Sequence, residues 1–163
     1  MNSDRIYLNM CNELAKFSKC QYTNVACMMV NENGRIVASG VNGTTSGSEN
    51  CCDLKFDSRD EHVKFADEEE IHAEMNAILD LARSGYSPTE LSIYTNISPC
   101  PNCLKHLLGL INTKGHKLTI NKIIFLEQYH RTTDLDIIKM KNRAIKHGVY
   151  LKSIKEVVEE REL

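Results

Sequence analysis

Helical and alternating periods follow one another along the chain. Over residues 3–19, Ile6, Met10, Leu14 and Phe17 recur at helical spacing, with Ser3 placed as a cap, and predict an amphipathic helix buried through that stripe. Cys11 lies beside the stripe and reads as a core residue. Val25-Ala26-Cys27-Met28-Met29-Val30 is an apolar strand, Asn33-Gly34 a hairpin turn, and Arg35-Ile36-Val37-Ala38-Ser39 the return strand, with Cys27 buried and inert. Residues 44–70 show no sustained period and read as an irregular segment. Ile71, Met75, Ile78 and Ala82 then predict a buried helix starting near residue 71 and closed by Arg83-Ser84-Gly85. The preceding Asp67-Glu68-Glu69-Glu70 supplies favourable charge at that helix start rather than metal ligands.

Leu91-Ser92-Ile93-Tyr94-Thr95 is a strand, and a helix is predicted from about residue 100 to 112, with a polar loop over 113–117. Ile123-Ile124-Phe125-Leu126 is apolar without alternation, as in a strand buried on both faces. A helix over 134–146 stops at His147-Gly148, Val149-Tyr150-Leu151 is a last strand, and the charged tail around Val157 and Val158 is a solvated turn or a frayed end. No repeat or boundary interrupts residues 1–163, which predicts one domain. The order α-β-β-α-β-α-β-α-β is an α/β arrangement whose last strands, joined by helices, are parallel.

Composition narrows the partners. The chain has 163 residues, a formal net charge of −2 and no Lys/Arg run, so it lacks the basic stripe of a nucleic-acid binder and favours a small free substrate. No secretory segment or apolar run near 18 residues is found, which predicts a protein neither exported nor membrane-spanning. Seven cysteines in such a chain are expected as thiols and metal ligands in the cytoplasm.

The chemistry concentrates in two short stretches, Glu70-Ile71-His72-Ala73-Glu74-Met75-Asn76-Ala77 and Ser98-Pro99-Cys100-Pro101-Asn102-Cys103. His72 and Glu74, spaced i and i+2, point about 200° apart on a helix and can converge only over its N-terminal end. Cys100 and Cys103 share one face of a helix whose first turn takes Pro101. One imidazole and two thiolates suit tetrahedral zinc and leave a fourth position for water, and the spare carboxylate of Glu74 is what hydrolysis needs beside it. The alternative is a buried structural Cys-x-x-Cys with an unrelated histidine. The full string His-x-Glu…Pro-Cys-x-x-Cys is the signature of zinc nucleobase deaminases.

On these residues, and on Gly40-Val41-Asn42-Gly43, Asn50-Cys51-Cys52-Asp53 and Asn76-Ala77-Ile78, residues 4–151 resemble the cytidine-deaminase-like superfamily, and within it the phage-type deoxycytidylate (dCMP) deaminases. The resemblance implies a three-layer α-β-α fold with a mixed five-stranded sheet. It implies hydrolysis of dCMP to dUMP and ammonia for thymidylate synthesis, with His72, Cys100 and Cys103 on zinc and Glu74 moving protons from the attacking water to N3 and the leaving amine. The Ala73 N–H would bind the base carbonyl and the Ser98 carbonyl the amino group. Asn42 matches the sugar-binding asparagine, or serves only as a turn residue before Gly43. Tyr129 falls where the family stacks an aromatic on the nucleotide, or is an ordinary strand-end tyrosine. His130 and Arg131 beside it either hold phosphate or lie in a solvated loop.

A second, structural zinc on Cys20, Cys51 and His62, with Cys52 as candidate fourth ligand, is also implied. So are regulation by dCTP and dTTP, with Mg2+ accompanying the triphosphate, at a site including Asn42, Gly43 and Arg83, and a homo-oligomer such as a hexamer. Arg83 reads equally as a favourable charge at a helix C-terminus. Val41 and Ala26 depart from the family pattern, which bears on nucleotide preference. A dual dCMP/dCTP deaminase, a free cytidine deaminase, a tRNA adenosine deaminase and a zinc-stabilised binding module are the competing readings; the acidic balance opposes the tRNA enzyme and Glu74 opposes the module.

Overall fold

The computed structural model describes residues 3–112 and 118–160. The predicted loop at 113–117 lies outside them. In chain order the elements are α1 (Ser3–Ala15), β1 (Ala26–Asn31), β2 (Ile36–Val41), β3 (Gly43–Thr44), α2 (Arg59–Glu69), β4 (Glu70–Ile71), α3 (Ala73–Ser84), β5 (Glu90–Ile97), α4 (Pro101–Gly109), β6 (Thr119–Glu127), α5 (Asp134–Lys146), β7 (Tyr150–Ser153) and α6 (Ile154–Glu159), with short 3-10 turns at Cys51–Asp53 and Leu110–Asn112. A five-stranded sheet in the order β2-β1-β5-β6-β7 runs through the middle. Its first three strands pair antiparallel and its last two pairings are parallel, which is the mixed sheet expected.

Both faces of the sheet are covered, so β1 is buried at every position. Cys27 and Met29 face the larger core with α3, α4 and α5, whereas Ala26, Met28 and Val30 face α1 and α6. Cys27 is fully buried, and burial pushes its thiol well up, as an inert core residue should behave. Among the described residues no helix is long and apolar enough to cross a membrane.

Several elements correct the sequence reading. The stripe that anchors α1 is Asp4, Leu8, Cys11 and Ala15; Ile6 and Met10 are 40% exposed and Phe17 73%. Asp4 can occupy a core position because it accepts from the Tyr94 hydroxyl at 2.7 Å and pairs with Lys122 at 2.6 Å. Ser3 is already helical rather than a cap. In α3 the buried positions are Ala73, Glu74, Ala77 and Leu81, and Ala82 is exposed, because small residues let the helix lie close on β2. A Cβ at Gly40 of β2 would stand 2.4 Å from the Ala73 oxygen and 2.4 Å from the Ala77 nitrogen, so only glycine fits.

The stretch over 44–70 contains the whole of α2. Its weak apolar period hides it, but Ser58 caps it, accepting from the Glu61 N–H at 3.1 Å, while the Glu61 carboxylate accepts from the Asp57 N–H at 2.7 Å. Asp67, Glu68 and Glu69 therefore close α2 instead of opening α3. The predicted helix over 100–112 is α4 followed by a 3-10 turn. The tail is a capped helix, α6, seated through Ile154.

Candidate active site and metal centres

The carboxyl ends of the parallel strands β5 and β6 deliver the chain to one cleft, the usual place for a ligand in an α/β sheet. The Ser98 N–H donates to the Glu127 oxygen at 2.7 Å and the Tyr129 N–H to the Ser98 hydroxyl at 2.9 Å, tying the two strand ends together. The Ser98 hydroxyl thus positions Tyr129. The cleft is open to solvent at its mouth, and Asn42, Ala73, Glu74, Ser98 and Tyr129 line it together.

His72 is the N-cap of α3 and Cys100 the N-cap of α4, each in extended conformation. The Cys100 sulfur accepts from the Cys103 N–H at 3.3 Å, so thiolate character and helix capping reinforce one another. His72 Nδ1 lies 3.3 Å from the Cys103 sulfur and 3.7 Å from that of Cys100. The three donor atoms all fall within 4.8 Å of one another. The Cys103 thiol beside it holds Cys100 down to about 4, while that same contact and burial push Cys103 up. A hydrogen bond to Cys100 raises His72. One nitrogen with two sulfurs is a zinc donor set with a position to spare.

Glu74, on the first turn of α3, is 3% exposed, and burial raises its carboxyl above the usual range. A raised carboxyl is the setting for a group that must both take and give a proton near neutral pH. The i, i+2 spacing works as expected, since His72 stands just outside the helix and Glu74 just inside it.

A second group lies in the same cleft. Cys20, Cys51, His62 and Glu70 bring one donor atom each within 4.8 Å of one another. His62 Nε2 is 3.6 Å from the Cys20 sulfur, and burial pushes the Cys51 thiol up to about 12. One carboxylate oxygen of Glu70 is buried with no hydrogen-bond partner. Cys52, the candidate fourth ligand, is exposed and turns to Asp53; the 3-10 turn places successive residues on different faces, so only Cys51 points inward. The carboxylate that joins the group is Glu70, which the sequence reading had set aside as helix-start charge. Its two-residue spacing from His72, in an extended segment, was the available signal.

Asn42 is 8% exposed and heavily committed. Its Oδ1 accepts from the Ser18 hydroxyl at 2.7 Å and the Val25 N–H at 2.8 Å, and its Nδ2 donates to the Thr23 oxygen at 2.9 Å. Gly43 pairs with Ile71 in the small β3–β4 ladder, near the start of α3. Arg83 lies in the last turn of that helix, ten residues on from Ala73, about 15 Å along the axis, so one chain does not bring it to Asn42 and Gly43.

The family model for the cytidine and deoxycytidylate deaminase zinc-binding region matches residues 1–116. The chain belongs to that family. It is therefore a deaminase, a hydrolase with zinc as its metal. It is 30% identical over 148 residues to the deoxycytidylate deaminase of Enterobacteria phage T4, covering 70% of this chain and 72% of that one. Its fold is similar to the dCMP deaminase of cyanophage S-TIM5 solved with dCMP and dUMP, with a TM-score of 0.69, 27% identity and coverage of 91% and 94%. A Thermotoga maritima diaminohydroxyphosphoribosylaminopyrimidine deaminase/reductase, at 16% identity and TM-score 0.60, shares the fold over 97% of this chain and 38% of its own.

Proposed function

We propose that this deaminase converts dCMP and water to dUMP and ammonia and so supplies thymidylate synthesis. The observation that carries the reading is the buried Glu74 carboxylate beside a three-donor N/S₂ group in one cleft, in a chain similar to deoxycytidylate deaminases. His72, Cys100 and Cys103 would hold the zinc, which when bound supplies a water acidified toward neutral pH. Glu74 takes a proton from that water as its oxygen adds to C4 and passes it to N3 of the base, then moves the proton of the resulting C4 hydroxyl to the amine, which departs as ammonia. The Ala73 N–H, unpaired by its place in the first helical turn, donates to the base carbonyl, and the Ser98 carbonyl accepts from the amino group. Tyr129, held by Ser98, stacks on the nucleotide. Because Asn42 Oδ1 already accepts twice, its part is to donate its remaining N–H to a sugar oxygen.

Cys20, Cys51, His62 and Glu70 form the second, structural zinc site; four donors close the coordination sphere, and the orphan Glu70 oxygen supports the fit. The seven free cysteines suit the cytoplasm. Regulation by dCTP and dTTP, with Mg2+, is proposed at Asn42 and Gly43, and Arg83 could join it only from a neighbouring copy in a homo-oligomer such as a hexamer. The test is ammonia release from dCMP, dCTP, cytidine and tRNA, with dCTP and dTTP titrated into the dCMP assay. Turnover of tRNA alone would overturn the substrate, and a flat response to both triphosphates would remove the regulation.

A further inference from the structure

The cleft carries positive charge that neither metal group uses. Arg59, the first residue of α2, and Arg131, in the turn after β6, are far apart in sequence, yet both line the cleft. The Arg59 guanidinium lies over the Tyr22 ring, 4.0 Å from its centroid, and its Nη1 is 3.3 Å from His62 Nδ1. Tyr22 in turn stacks on His62, with 4.1 Å between ring centroids. Arg59, His62 and Arg131 line the same cleft. Neither arginine is in an ion pair among the described residues. Of the carboxylates that line the cleft, Glu70 belongs to the metal group, Glu74 is buried, and Asp67 is exposed and forms no ion pair with either arginine. Both arginines are exposed, so their guanidinium groups are open to an anion entering the cleft, and two cations on its wall favour one there.

We infer that Arg59 and Arg131 form a clamp for the phosphate of a nucleoside monophosphate and set the preference for nucleotide over nucleoside. The inference rests on the deaminase reading above. Arg59 is suited to the task because its planar fork is fixed on Tyr22 before the ligand arrives, leaving donors to pair with two phosphate oxygens at little entropic cost. The sequence alone gave no hint of Arg59, since residues 44–70 read as irregular. Its neighbour His62 also makes it the link between the second metal group and the substrate.

The experiment compares kcat/KM for dCMP and for deoxycytidine in the zinc-loaded protein and in Arg59→Ala, Arg59→Lys and Arg131→Ala. Calorimetric binding of dUMP against deoxyuridine, and zinc content, are measured in parallel. The dCMP-to-deoxycytidine preference should fall roughly 10- to 100-fold in Arg59→Ala, mainly through KM, and less in Arg59→Lys, as expected for charge-assisted phosphate bonds. Arg131→Ala should weaken dUMP binding without changing zinc content. A preference that stays within about twofold of the unaltered protein in both alanine variants would overturn the clamp. Should no cytosine compound release ammonia, the deaminase reading fails, and the dUMP-against-deoxyuridine binding difference still decides the clamp by itself. If Arg59→Ala does not fold, Arg59→Gln and Arg131→Ala carry the same comparison.

Discussion

Glu70 and His72 are two residues apart on one extended segment, and each belongs to a different group of metal donors. An extended chain sends residues i and i+2 to the same side, roughly 7 Å apart, so one short strand serves both centres. The group around His72 offers three donors and stands beside a buried carboxylate that is not one of them. The group around Glu70 offers four donors, three of them buried, and has no carboxylate to spare. Donor chemistry is almost the same in the two. On the proposed assignment, what separates a reactive centre from a stabilising one is the number of ligands and the fate of the nearest carboxylate: in one group it would be kept back from the ion, in the other it would close the sphere.

The sharpest way to break that contrast is to disable the spare carboxylate. Glu74→Gln keeps shape and burial but can no longer carry a proton, so kcat for dCMP should fall by about 10²- to 10⁴-fold. Zinc content, measured by atomic absorption, should stay at two per chain. Loss of zinc together with activity would mean that Glu74 acts as a ligand.

The opposite manipulation empties the closed centre. Cys51→Ser or Glu70→Gln should reduce zinc from two to one per chain, whereas Cys52→Ser should retain both. Stabilisation by a tightly bound ion is about 4 kcal/mol when free metal exceeds its Kd a thousandfold, or roughly 8–16 °C in Tm for a chain of this size. The chemistry at Glu74 should survive in whatever fraction remains folded. A single zinc in fully active protein would sink the second site.

A third perturbation acts on the open centre through packing. A methyl group at Gly40 meets the backbone of α3 at 2.4 Å and must push away the helix that bears Glu74. Overpacking of this kind costs about 1–3 kcal/mol. Gly40→Ala should therefore lower Tm, kcat and zinc content together, since Ala73 directly follows the segment that carries Glu70 and His72. Calorimetry, metal analysis and an activity assay on one preparation read all three.

How much of this was legible from the chain follows the physics of each signal. That His72, Cys100 and Cys103 stand together, with Glu74 in the first turn of α3, was readable because ligand chemistry is written in residue type and short spacing. The helix Asp134–Lys146 was readable because its caps and period agree. The apolar face of α1 was misread because amphipathic spacing fits two stripes there, and the buried one includes an aspartate whose partners, Tyr94 and Lys122, are 90 and 118 residues away. Long-range pairing leaves no local mark. The same reason hid α2, Glu70 and Arg59: each takes its meaning from Cys20, Tyr22 or Cys51, brought near only by the fold.

The smallest expected effect calibrates acid lability away from both centres. Glu156 on α6 accepts from the Ser153 N–H at 2.8 Å and pairs with Lys141, and its side chain is 39% exposed. Partial burial tends to raise its carboxyl, but Lys141 and Ser153 outweigh burial and hold it below the usual range. A depressed carboxylate contributes stability that is present above its unfolded pKa of about 4.3 and is lost as pH falls through the lower folded value. Exposure limits that contribution to a few tenths of a kcal/mol, at most about 1. Metal binding at either donor group would also fail in acid, since the histidines and thiols must be deprotonated to bind. That loss is common to the unaltered protein and Glu156→Gln, so it cancels in their difference. The Tm gap should be about 1–3 °C at pH 7 and close toward zero below pH 4. A gap that persists in acid would show that the cap geometry, rather than the charge, seats α6.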